Sequence, residues 1–194
     1  MTRARRAAAG VAAVVLAGAV LAACSSGSGS SATTKRSAPS WARSLGRGLT
    51  ILPPGSTPAA GNGSPGGVVE ADVADVNAGN LSAACGLLEP SAQSACAQAT
   101  SGQSSHGVSY RHFRLGYIAI DGDEALVGTV GTYCNPNSTP TCDTNSDPAA
   151  IFSSAHSFAD LFSAAVAATN SPSNSYSLAP LVKIGAAWYL DASG

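Results

Sequence analysis

The hydrophobic positions of this chain change rhythm several times, and each change marks a different kind of segment. Residues 7–20 are apolar without interruption apart from Gly10 and Gly18, after a start that carries Arg3, Arg5 and Arg6. Leu21-Ala22-Ala23-Cys24 closes that run with small residues. From Ser25 to Gly67 the apolar positions thin out, and Ser, Gly, Thr, Ala and Pro dominate. Periodic patterning begins at Val68.

The first periodic stretch is helical. Val69, Val73 and Val76 recur at helical spacing, which predicts Glu70, Asp72 and Asp75 turned away from the core. Asn77-Ala78-Gly79-Asn80 breaks that helix, and Asn80 is placed to cap a second with the stripe Leu81, Ala84, Cys85 and Leu88, stopped by Pro90. Ser91 is placed to cap a third, running through Cys96 to Ala99.

Past Ser105 the period becomes two. Tyr110–Ile120 and Ala125–Tyr133 read as strands around the hairpin turn Asp121-Gly122-Asp123-Glu124. After a Pro/Asn/Thr loop over 135–147, Asp147-Pro148 resembles an N-cap followed by proline at the first helical position. Phe158, Leu161, Phe162, Ala165 and Val166 then repeat as a helical stripe. Strands at Leu178–Ile184 and Ala187–Leu190 close the chain around Gly185-Ala186. The expected class is α+β: N-terminal helices on an antiparallel sheet, with a helical insertion over 148–169 before the final strands.

The chain start has the anatomy of an export signal: positive charge, a short apolar run and a small-residue exit. Its apolar run is shorter than the roughly 20 residues a permanent spanning helix needs. Leu-Ala-Ala-Cys matches the lipobox of bacterial lipoprotein signals, where cleavage precedes the cysteine and Cys24 becomes the acylated first residue. Two or more acyl chains hold a protein firmly to a bilayer. The expected organisation is therefore a signal peptide over 1–23, a lipidated Cys24 with a flexible tether over 24–67, and a folded domain over 68–194 on the extracytoplasmic face of the cell membrane.

Composition agrees with a spacer. A Ser/Gly/Pro-rich segment buries too little apolar surface to offset its ordering entropy, and its roughly 43 residues would reach on the order of 35–40 Å. Trp41, Leu45, Leu49 and Leu52 interrupt it at helical spacing beside Arg43 and Arg47, a weak basic amphipathic pattern cut by Gly46 and Gly48.

Charge separates the segments further. The seven bases before Val68 meet no acid, whereas Arg111, Arg114 and Lys183 face all eleven acids after it, a net of −8. A domain so acidic repels phosphate backbones, so nucleic acid is not an expected partner.

Beyond Cys24 the chain holds Cys85, Cys96, Cys134 and Cys142. An even number in an exported chain favours disulfides, and of three connectivities the local pairs Cys85–Cys96 and Cys134–Cys142 need the least rearrangement of the chain. A four-cysteine zinc site is the competitor, but its cysteines come in pairs two to four residues apart, much closer than these.

A family resemblance is carried by two stretches. Asn77-Ala78-Gly79-Asn80-Leu81 with Ala83-Ala84-Cys85-Gly86-Leu87-Leu88 resembles the first helices of nuclear-transport-factor-two-like domains in actinobacterial lipoproteins. Leu181-Val182-Lys183-Ile184-Gly185-Ala186-Ala187-Trp188-Tyr189-Leu190 is similar to that family's closing hairpin. The resemblance implies a curved, cone-like sheet, and it brings in the related ketosteroid-isomerase-like enzymes, which pair a carboxylate base with a tyrosine. Tyr110, Tyr117, Tyr133, Tyr176 and Tyr189 supply phenols here, but the acids fall on the first helix, at turns or after the last strand.

Catalytic motifs are otherwise missing from the sequence. His106, His112 and His156 form no His-Glu-x-x-His pattern, and Ser105-His106 lacks the Gly-x-Ser-x-Gly elbow. Asp121, Asp123 and Glu124 lack the twelve-residue calcium-loop spacing. No catalytic, metal or cofactor residue is therefore assigned. The expected function is a non-catalytic binding or interaction module of the cell envelope, held to the membrane by its lipid and engaging an envelope protein or a small apolar ligand. If Phe113, Tyr117, Phe162 and Trp188 line an open cavity, the ligand is apolar; if they fill a closed core, a protein partner remains. The alternative is a small-molecule isomerase, dehydratase or hydrolase on a ketosteroid-isomerase-like scaffold, which needs a buried acid or histidine beside a tyrosine.

Overall fold

The computed structural model describes residues 49–56, 58–102, 108–137, 141–169 and 177–192. The signal segment, Cys24, Trp41, Leu45, His106 and Tyr176 lie outside the described residues. Strands β1 (Leu49–Leu52), β2 (Ser109–Asp121), β3 (Glu124–Cys134), β4 (Cys142–Thr144), β5 (Ser177–Ile184) and β6 (Ala187–Leu190) form one open antiparallel sheet. Its order is β1-β2-β3-β5-β6, with β4 also paired to β3. The helices are α1 (Pro65–Asn77), α2 (Leu81–Cys85), α3 (Pro90–Thr100), α4 (Ala149–Ser154) and α5 (Phe158–Thr169).

The alternation of the strands explains why helices cover both faces. On β3, Ala125 and Val127 point to one core and Leu126 to the other. The first core joins Val68, Val69, Val73 and Val76 of α1 to Leu115, Ile118, Leu181, Trp188 and Leu190. The second joins Ile51, Ala119 and Leu178 to Ile151 and Phe152 of α4 and to Phe158, Leu161 and Ala165 of α5. A sheet buried on both faces reads as near-continuous apolar runs, as in Ala125-Leu126-Val127. The β2–β3 hairpin turns at Gly122, whose φ of +61° suits glycine. Asp121, Asp123 and Glu124 stay exposed at its tip.

Three expectations are corrected. The first concerns the tether over 24–67: Leu49–Leu52 is a strand, paired with β2 from Leu49↔Asp121 to Leu52↔Ile118. The side chain of Ile51 is 9% exposed against the second core, and this burial offsets the entropy that argued for a spacer. Helix α1 also starts before Val68. Pro65 sits at its first position, and Ser64 Oγ accepts the amide of Gly67 at 3.1 Å. This is a helix start signal inside what reads as Pro/Gly linker. At Gly67 a Cβ would run into the backbone oxygens of Ala59 and Gly61, so glycine lets the incoming chain pass there.

Second, the helix expected through Leu88 stops at Cys85. Leu87–Glu89 instead lies along β6, with the Leu190 amide donating to Leu87 O at 2.8 Å and the Glu89 amide donating to Leu190 O at 3.0 Å. These bonds cover an otherwise unpaired sheet edge. Third, α3 begins after Glu89 with Pro90 at its first position, and Ser91 bonds Glu89 Oε1 rather than capping the helix.

The helical insertion expected over 148–169 is present, as two helices. Asp147 Oδ1 accepts the amide of Ala149 at the start of α4. Between the helices, Ser157 Oγ accepts the Asp160 amide at 3.1 Å while Asp160 Oδ2 accepts the His156 amide at 3.2 Å. That reciprocal cap starts a new helix.

Both local disulfides are present. Cys85–Cys96 joins α2 to α3 with Cα atoms 5.6 Å apart, and Cys134–Cys142 joins β3 to β4 at 4.0 Å. Among the described residues no helix is long and apolar enough to cross a membrane.

Candidate functional site

The most unusual chemistry lies where the second half of α1 meets the start of β2 and the end of β3. The buried stripe of α1 runs Pro65, Val68, Val69, Asp72, Val73, Val76, a continuous helical spacing in which one core position holds a carboxylate. Asp72 is 4% exposed, which overturns the expectation that it faces solvent with Glu70 and Asp75. The strict spacing of the stripe was the available signal, and it outranks the polarity of the residue at that position.

Tyr110 meets this helix from β2. It is 3% exposed, and it stands opposite Tyr133 in the β2–β3 register with the ring centroids 4.6 Å apart. Asn77, the last residue of α1, accepts the Tyr110 amide on Oδ1 at 3.3 Å. Its Nδ2 is buried with no hydrogen-bond partner among the described residues. Asn135 Nδ2 donates to the Tyr133 hydroxyl at 3.3 Å. The Asn135 amide in turn donates to Thr141 O at 2.8 Å, inside the loop that the Cys134–Cys142 bridge closes.

Electrostatics follow from burial. Loss of water pushes the Asp72 carboxyl well above the usual carboxylate range, and the charge of Asp75 adds to the effect. Burial also lifts the Tyr110 phenol well above its ordinary value, with smaller contributions from Tyr133 and from Asp72. Both groups therefore favour their neutral, proton-bearing forms. A neutral acid and an unpaired amide N–H are hydrogen-bond donors suited to an oxygen acceptor.

The four aromatics weighed as lining a cavity or filling a closed core do not come together. Trp188 is buried in the first core and Phe113 packs against it. Tyr117 packs on the second core, across the sheet, with its ring 5.5 Å from Phe152. Phe162, on α5, is exposed at 36%. Strict alternation would put 113 and 117 on one face; the register irregularity between Leu115 and Ile118, within which Tyr117 falls, places them on opposite faces.

His112 and Arg111 are exposed at a β-bulge, where His112 has φ +55°, and Arg114 lies 3.9 Å from Asp147 with both side chains more than half exposed. An ion pair that open contributes little. Among the described residues no three His, Cys, Asp or Glu side chains gather as metal ligands. No family model matches the chain, and neither a curated protein nor a solved structure was found that resembles it.

Proposed function

We propose that this protein is a lipid-anchored extracytoplasmic module that binds another envelope protein, with Cys24 as its acylated first residue. The observation carrying this reading is the pair of local disulfides downstream of Leu-Ala-Ala-Cys24, since such bridges persist in oxidising compartments. A protein partner is favoured over a small apolar ligand because Phe113 and Trp188 lie on the opposite face of the sheet from Tyr117. The open antiparallel sheet, the helices between β1 and β2 and the closing β5–β6 hairpin support a nuclear-transport-factor-two-like domain, with the cone-like curvature as part of the proposal. The test is intact mass of the membrane-extracted protein. An acylated chain beginning at Cys24 is expected, and Cys24→Ala should move the protein out of the membrane fraction. An unmodified Cys24 thiol, or a chain that keeps residues 1–23, overturns the reading.

A second reading has one specific observation behind it: Asp72 and Tyr110 are both buried, and the Asp72 charge contributes to raising the Tyr110 phenol. That is the constellation a ketosteroid-isomerase-like proton transfer needs, with Asp72 moving the proton and Tyr110 holding a carbonyl oxygen. At 4% and 3% exposure the pair is closed to a substrate, so this reading also requires the α1–β2 junction to open. Incubating the full chain with small ketones in D2O tests it. Deuterium entering α to the carbonyl, and lost in Asp72→Asn, supports it; equal labelling in both proteins, or none, rejects it.

A further inference from the structure

Helix α3 has no buried residue. Its sequence, Pro-Ser-Ala-Gln-Ser-Ala-Cys-Ala-Gln-Ala-Thr, offers the core nothing larger than a cysteine among its apolar side chains once the exposed Pro90 is set aside. Only Ala92 and Cys96 rest, half-buried, against the first core. An eleven-residue helix falls below the roughly 12–15 residues at which even Ala-rich helices become marginal in water. Its place on the fold therefore comes from specific fastenings.

Two fastenings are visible. Gln93 Nε2 donates to Gly86 O at 3.1 Å and to Leu88 O at 2.8 Å, which holds the first turn. The second half is held by the Cys85–Cys96 bond, with Thr100 Oγ1 3.6 Å from Cys85 Sγ and donating to Cys96 O at 2.9 Å. The residues before α3 are secured without that bond, because Leu87–Glu89 is paired to Leu190. Cys85 is the one buried residue of α2, so the bridge ties a helix without buried residues to a cysteine seated in the fold. Regions with few buried apolar contacts open at far lower free energy than the core.

We infer that α3 is a strap fastened by the Cys85–Cys96 bridge, and that an external dithiol opens it while the sheet stays folded. One thiolate of the dithiol attacks a bridge sulfur and expels the other cysteine as thiolate. The second thiolate then closes the dithiol into its own disulfide and releases the remaining cysteine. The dithiol loses two electrons, and Cys85 and Cys96 gain them, taking up two protons to end as thiols. Opening bares the surface that Ala92 and Cys96 cover on the first core.

Amide hydrogen exchange on the full chain in detergent tests this, comparing the oxidised protein with Cys85→Ala/Cys96→Ala. Protection over residues 92–100 should fall about tenfold or more, while β2, β3 and β5 change less than about twofold. The same pattern should appear when the unaltered protein is titrated with dithiothreitol, in step with alkylation of Cys85 and Cys96. Removing the other bridge, in Cys134→Ala/Cys142→Ala, should leave α3 protection unchanged. Full protection of α3 without its bridge overturns the inference. So does loss of protection across the sheet, or a double variant that fails to fold, since the bridge would then hold the whole domain.

Discussion

The ring of Pro148 lies against the backbone of Gly128: a Cβ built at Gly128 would sit 2.6 Å from Pro148 Cγ and 3.2 Å from the Phe152 ring. Gly116, beside it on β2, meets the same proline at 3.1 Å. A patch without side chains in the middle of the sheet is what lets α4 dock directly on the strands, with Pro148 and Phe152 fully buried.

Gly128→Ala should therefore destabilise the domain although alanine is ordinarily tolerated in strands. The methyl group meets a rigid ring and a buried aromatic, neither of which can rotate away, so the cost expected is about 1–3 kcal/mol. Urea denaturation of the variant against the unaltered protein measures it. An unchanged midpoint would mean that α4 is not seated on this patch.

Asp72 makes stability depend on pH in a defined direction. Its folded carboxyl holds the proton more tightly than the unfolded one, because of burial and then Asp75. The stability it contributes is fully present below the unfolded value of about 3.9 and is lost as the pH rises through the raised folded value. Asp72→Asn cannot ionise, so it should match the unaltered protein near pH ~3.5 and become progressively more stable than it as the pH rises toward ~8. Parallel urea curves for the two proteins across that window would refute the burial of this carboxyl.

Asp72 also shows where sequence reading reaches its limit. The hairpin at Gly122, the closing strands around Gly185 and both local disulfides were legible, because turn chemistry and short sequence separations are local properties. The position of Asp72 was equally local, falling on the 65-68-69-72-73-76 stripe, yet residue polarity pointed the other way. Strand β1 was not legible. Leu49 and Leu52 share a helical spacing with Trp41 and Leu45 that points away from a strand. Four residues between Gly48 and Pro53 are too few to show alternation, and their partner Ile118–Asp121 lies nearly seventy residues later. The split of Phe113 and Tyr117 between two faces likewise depends on register irregularities that no alternating pattern announces. The candidate site suffered most, since it forms only when α1, β2 and β3 converge.

The Cys134–Cys142 bridge closes a short loop and should stabilise chiefly by restricting the unfolded chain. For a sequence separation of 8, the loop-entropy estimate is about 2.5 kcal/mol. Cys134→Ala/Cys142→Ala should lose roughly that amount in urea denaturation and release β4, whose three residues are all exposed. Asn135, which donates to the Tyr133 hydroxyl, lies in that loop, so the near-ultraviolet tyrosine signal should change with it. A variant with full stability would show that the β3–β4 pairing holds without the bridge.

Strand β1 separates a folded reading of residues 49–52 from a spacer reading most directly. Ile51 faces the second core beside Ala119 and Leu126, whereas Thr50, its neighbour in sequence, is exposed. Ile51→Asp places a carboxylate without a partner at a buried position, and about 3 kcal/mol of stability should be lost. Thr50→Asp, adding the same charge on the solvent side, should change stability by no more than about 0.5 kcal/mol. The buried substitution should further detach β1 from Ile118–Asp121, leaving an unpaired strand edge that promotes self-association, visible as earlier elution in size-exclusion chromatography. If residues 49–52 were merely spacer, the two aspartates would be equally silent in both measurements. Only packing against the sheet makes one of two adjacent positions respond and leaves the other silent.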